Sequence, residues 1–125
     1  MKPVISIIDD DASVREGTMD LLNSMGFVAE AFEHANAFLN SSRLHATSCL
    51  IADVQMPGMT GLELYDRLVG SGNVIPTILI TAFPNARDRA RAERVGVHGY
   101  LTKPFHENEL VACIRAALNA DGRRP

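Results

Sequence analysis

Apolar residues fall along this chain in two alternating patterns. Short runs of strand length, at 4–8, 27–32, 49–52, 77–80 and 97–101, are separated by segments whose apolar positions recur with the period of a helix. Four of the runs are nearly continuous, as strands covered by helices on both faces should be. The second, FVAEAF, carries Glu30 in its middle and reads as an edge strand. Val14, Thr18, Leu21, Leu22 and Met25 form the stripe of a first helix, with Gly26 as its stop. Ala35, Phe38 and Leu39 mark a second, weaker helix. Thr60 and Glu63 have the spacing of a capping box ahead of Leu64, Tyr65 and Leu68 in a third. Asn85 suits the N-cap of a fourth, ARDRARAERV up to Gly96, and Leu110, Ile114, Ala117 and Leu118 stripe a fifth. The closing DGRRP should fray.

Strand and helix alternating five times predict an open, doubly wound α/β sheet, with right-handed crossovers putting helices on both faces. The 125 residues suffice for one such domain and are too few for two. Sheets of this kind bind ligands beyond the carboxyl ends of their strands. The residues at those positions are Asp9 and Asp10, then Asp53, then Thr81, then Thr102 and Lys103. Asp11, next in sequence, reads instead as the N-cap or a first-turn acid of the first helix.

Composition narrows the chemistry. The chain is 46% hydrophobic and 22% charged with a net charge of -3, and it has no apolar stretch near the roughly 18 residues of a membrane span. The N-terminal apolar run is too short for a signal peptide, so the expected location is cytoplasmic. Cys49 and Cys113 lack CxxC pairing and are expected to be reduced, and His34, His45, His98 and His106 lack zinc-ligand spacing. Carboxylates converging on one edge repel one another and call for a cation among them. With only hard oxygen donors that cation is Mg²⁺ rather than zinc. Lys103 would add a point charge and Thr81 a donor, a set suited to a phosphoryl group. No GxxxxGK[ST] or GxGxxG segment provides a nucleotide cradle. A carboxylate can itself be the nucleophile, and Asp53, without an acidic neighbour, is the best candidate.

The segments IIDDD, DVQMPGMTGLEL, ITA and GYLTKPF resemble the receiver domain of two-component response regulators, over about residues 3–120. GLELYDRL and LTKPF are most similar to receivers that precede helix-turn-helix output domains. The resemblance implies a flavodoxin-like sheet of order 2-1-3-4-5 with five helices, a receiver over residues 1–120, and 121–125 as a frayed tail or the start of a linker. It implies that Asp53 accepts a phosphoryl group from a phosphohistidine on a sensor kinase or phosphotransfer protein. Asp10, Asp53 and the Gln55 backbone carbonyl would bind Mg²⁺, for which Mn²⁺ can substitute, and Asp9 would act mainly through a metal-bound water. Lys103 would pair with the phosphoryl oxygens, Thr81 would turn inward to one of them, and Tyr100 would be the aromatic switch. Small Ala82 leaves room for the group, Gln55 and Phe83 tune its hydrolysis with Phe83 restricting water, and the peptide before Pro104 would be cis.

Output would pass through the fourth helix, fifth strand and fifth helix, to a partner or a second receiver. Arg87, Arg89, Arg91 and Arg94 crowd that fourth helix. They make either a solvated face or a protein-docking surface, whereas an acidic chain without aromatics in this segment argues against nucleic acid. The expected protein is therefore a signalling phosphoacceptor and not a turnover enzyme. Two other readings stay open: a Mg²⁺-dependent phosphohydrolase with an aspartyl intermediate, disfavoured by the lack of a D-x-D-x-T segment, and a docking module that is never phosphorylated.

Overall fold

A computed structural model describes residues 2–122. Strands β1 (Val4–Ile8), β2 (Val28–Phe32), β3 (Cys49–Asp53), β4 (Thr77–Thr81) and β5 (Gly99–Thr102) form one parallel sheet in the order β2-β1-β3-β4-β5. Helices α1 (Ala12–Ser24), α2 (Ala35–Leu39), α3 (Gly61–Gly70), α4 (Ala86–Val95) and α5 (Glu107–Gly122) alternate with them. This is the flavodoxin-like arrangement expected. Its strand order reverses between β1 and β3, which puts Asp9, Asp10 and Asp53 at the switch point where such sheets bind ligands.

Strand alternation sorts the core into two layers. Ile5, Ile7, Cys49, Ile51, Ile78 and Ile80 face Leu22 of α1 and Leu110, Ile114 and Ala117 of α5. Ile8, Leu50, Ala52 and Leu79 face Phe38 of α2, Leu64 and Leu68 of α3 and Ala92 of α4. Each of the fully buried Ile and Leu side chains contributes about 1.5–3 kcal/mol. β3 and β4 are buried along their whole length, while β2 is an edge whose Glu30 meets the Arg43 guanidinium at 3.5 Å. The buried Ser6 hydroxyl is satisfied by Thr47 at 2.7 Å.

Several expectations are sharpened. β3 and β4 each run one residue further than the apolar runs, because Asp53 pairs with Ile80 and Thr81 with Thr102 in the ladder. Asp53 and Thr81 are thus the last ladder residues of their strands, while Asp9, Asp10 and Lys103 lie just beyond theirs. β5 starts at Gly99 and ends at Thr102, again following its register on β4. Met25 is not on the buried stripe: it is the C-cap of α1 and 41% exposed. Gly26 follows it with φ +89°, and the Phe27 N–H closes back on the Leu22 carbonyl. The second helix is only five residues long, is capped by His34 Nδ1 accepting the Ala37 N–H, and leads into a 3₁₀ turn, Ser42–Ala46. α5 runs from Glu107 to Gly122, and residues 123–125 of the tail expected to fray lie outside the described residues.

Candidate functional site

The acidic edge is assembled by local signals in the chain. At the end of β1 the Asp9 side chain turns inward and is fully buried, while Asp10 is exposed at the rim. Asp11 turns the other way: its carboxylate accepts the N–H groups of Ser13 and Val14 and caps α1. Its own N–H donates to Asp9 Oδ1 at 2.9 Å, fixing the Asp9 carboxylate from below. Asp53, nearly buried at the end of β3, accepts the Gln55 N–H at 3.0 Å.

Asp9, Asp10 and Asp53 each offer a carboxylate oxygen, and these oxygens lie within 4.8 Å of one another. Lys103 reaches across from the end of β5 and donates to Asp9 at 3.0 Å and Asp53 at 2.9 Å. Three carboxylates against one ammonium leave two negative charges uncompensated. An all-oxygen donor set with that excess fits a small divalent cation such as Mg²⁺. The proton affinities reflect the same crowding. Burial raises the Asp53 carboxyl above its ordinary 3.8, the Lys103 hydrogen bond opposes this, and the Asp9 charge adds to the rise. Burial would lower Lys103, but its hydrogen bonds to Asp53 and Asp9 outweigh that and hold it above 10.5, so it stays a cation.

Thr81, last in β4, is fully buried; its hydroxyl donates to Gln55 Oε1 and accepts the Phe83 N–H at 2.9 Å. Phe83 is 72% exposed, and Ala82 lines a shallow apolar opening with Val14, Lys103, Pro104 and Phe105. The Lys103–Pro104 peptide is cis. Tyr100 packs against the α2–α3–α4 layer with the Arg89 guanidinium 4.8 Å from its ring centroid. Its hydroxyl is buried and has no hydrogen-bond partner among the described residues.

Two residues at the site were not singled out from sequence. Arg15, one turn into α1, donates to the Asp9 carbonyl at 2.7 Å and lies 3.9 Å from Glu33. It ties the end of β1 to α1 and to the loop after β2. Gly61 opens α3 against the acceptor strand: a Cβ there would stand 2.6 Å from the Asp53 carbonyl oxygen and 3.0 Å from Leu79. The quoted DVQMPGMTG segment contains that glycine, so this signal was present, but its reason is visible only in three dimensions.

A family model described as response regulator receiver domain matches residues 5–115. The chain is 42% identical over 115 residues to the response regulator protein TodT of Pseudomonas putida, covering 92% of this chain and 51% of that protein. It is 34% identical over 114 residues to the transcriptional regulatory protein FixJ of Bradyrhizobium diazoefficiens, covering 91% and 56%. Among solved structures it superposes on response regulator StyR with a TM-score of 0.91 at 40% identity, covering 99% of this chain and 63% of that one. FixJ-N gives a TM-score of 0.85 at 27% identity, covering 95% of each chain. The chain thus spans about half the length of the curated relatives it matches.

Proposed function

Since this chain belongs to the response regulator receiver domain family, we propose that it takes a phosphoryl group onto Asp53 from the phosphohistidine of a sensor kinase or phosphotransfer protein. The observation that carries this reading is the convergence of Asp9, Asp10 and Asp53 on one edge with Lys103 bridging two of them. An Asp53 carboxylate oxygen attacks phosphorus in line. The donor P–N bond breaks, and its electron pair stays on the imidazole nitrogen. The Gln55 N–H and the end of the β3 ladder orient the carboxylate. Lys103, held as a cation, shifts from the free carboxylate toward the incoming phosphoryl oxygens. Bound Mg²⁺, or Mn²⁺ in its stead, would neutralise charge developing on those oxygens. Asp10, Asp53 and the Gln55 carbonyl would hold it, with Asp9 acting through water.

Thr81 and Tyr100 are the switch in this reading, and output leaves through α4, β5 and α5 to a partner or a second receiver. The exposed arginines Arg87, Arg89 and Arg94 of α4 would supply charge to that contact. Ala82 leaves space over the acceptor, and Gln55 with Phe83 tunes the lifetime of the adduct. Phe83, 72% exposed, would restrict water only by folding back over the site. The domain acts in signalling and not as a turnover enzyme. Among the described residues no helix is long and apolar enough to cross a membrane, which accords with a cytoplasmic location. The test is incubation with Mg²⁺ and acetyl phosphate followed by intact mass. An adduct of one phosphoryl group, absent from Asp53→Asn, is expected; no adduct on the wild type at saturating donor would sink the reading.

A further inference from the structure

We propose that the Gln55 side chain is a latch holding Thr81 in its resting orientation, which a phosphoryl group on Asp53 must displace. The proposal rests on the phosphoacceptor reading above and adds to it what the incoming group has to compete with.

A threonine hydroxyl has one proton to give. Thr81 is fully buried, so solvent cannot share that proton, and it is already given to Gln55 Oε1. Thr81 Oγ1 itself accepts the Phe83 N–H. Its one donor is therefore committed, and one of its two acceptor sites is in use. The two contacts tie three segments together: the loop after β3 that carries Gln55, the end of β4, and the loop leading to α4.

A phosphoryl group brings acceptors only. To donate to it, Thr81 must withdraw its proton from Gln55. The exchange has an asymmetric cost. Gln55 is only half-buried, so its released carbonyl can turn to water, whereas the hydrogen bond gained has an ionised acceptor and is about twice as strong as a neutral one. Without the phosphoryl group the same rotation leaves a buried hydroxyl proton unpaired, which is unfavourable. Gln55 thus biases the resting state, and the charge on Asp53 reverses the bias. Because Phe83 hangs on the same oxygen, the rotation also releases the first peptide of the loop before α4. Side-chain length matters here: an asparagine is one methylene too short for the reach, a methionine has the length without the acceptor, and a glutamate keeps an acceptor oxygen.

The experiment uses the unphosphorylated, metal-free protein, so it reads the latch before any chemistry. Three-bond couplings give the Thr81 side-chain rotamer and amide exchange gives the protection of Phe83, in wild type, Gln55→Asn, Gln55→Met and Gln55→Glu. The wild type and Q55E should keep one Thr81 rotamer and a protected Phe83 amide. Q55N and Q55M should average over rotamers and exchange the Phe83 amide about tenfold faster, the equivalent of one net hydrogen bond. In a second step, with Mg²⁺ and acetyl phosphate added, they should also form the adduct several-fold faster than the wild type. An unchanged rotamer and amide in Q55N and Q55M overturns the latch. So does rotamer averaging with no gain in adduct rate. Failure of the phosphoacceptor reading looks different: the wild type then gives no adduct, whatever the couplings show.

Discussion

Arg15 is held chiefly by a backbone oxygen at 2.7 Å, with the Glu33 carboxylate a looser 3.9 Å away, and this makes its effect specific. Its guanidinium fixes the carbonyl of the same residue whose carboxylate meets Lys103. Replacing it by methionine removes a charge-assisted hydrogen bond and frees the turn that aims Asp9 and Asp10, at a cost of about 1.5–3 kcal/mol in stability. Arg15→Met should also weaken Mg²⁺ binding by calorimetry, which a lost surface pair would not do. Glu63 gives a pH test. Its carboxylate accepts the Thr60 N–H, which holds it below the ordinary 4.5. A depressed carboxylate contributes stability that is present above 4.5 and lost as pH falls through its folded-state value. Denaturation curves of the wild type and Glu63→Gln should therefore differ at neutral pH and merge in acid. The Thr60–Glu63 box was legible because its partners are three residues apart. Gln55 and Thr81 are 26 apart and Arg15 binds a main-chain atom, so neither contact leaves a local pattern to read.

The start of α3 closely abuts the end of β3. Gly61 donates its N–H to the Val54 carbonyl while its Cα faces the Asp53 carbonyl oxygen, with no room for a methyl group. Gly61→Ala forces the helix away from the strand and should cost about 1–3 kcal/mol, the range for overpacking a close contact. Because the obstructing atom belongs to Asp53, the variant should lose adduct formation as well, read by intact mass beside a thermal melt. Elements with their own punctuation were legible: Asp11 and Asn85 as caps, and Gly26 and Gly96 as stops with positive φ. Elements defined by a neighbour were not. Where β3, β4 and β5 end depends on which strand each pairs with, and α2 is a short turn of helix held mainly by Phe38.

Across the whole molecule, the alternation of strand and helix was enough to infer two helical layers around a parallel sheet, but the strand order came from the family resemblance. Periodicity does not encode which strand sits beside which. The switch point produced by that order gathers two uncompensated charges, so a divalent cation should act as a stabilising ligand of the folded state. At a Mg²⁺ concentration one hundred times its dissociation constant the gain is about 2.7 kcal/mol, visible as a rise in melting temperature that Asp10→Ala removes. The two layers are not equally secured. Among the described residues α4 buries only Ala92, and its links to α3 include the Asp66–Arg91 ion pair and the Tyr65 hydroxyl donating to the Gly96 carbonyl at the helix end. With so little apolar surface to lose, α4 should open alone at a fraction of the global unfolding free energy. In deuterium its amides should exchange while those of β3 and β4 remain protonated, making this helix the first cooperative unit to detach from an intact sheet.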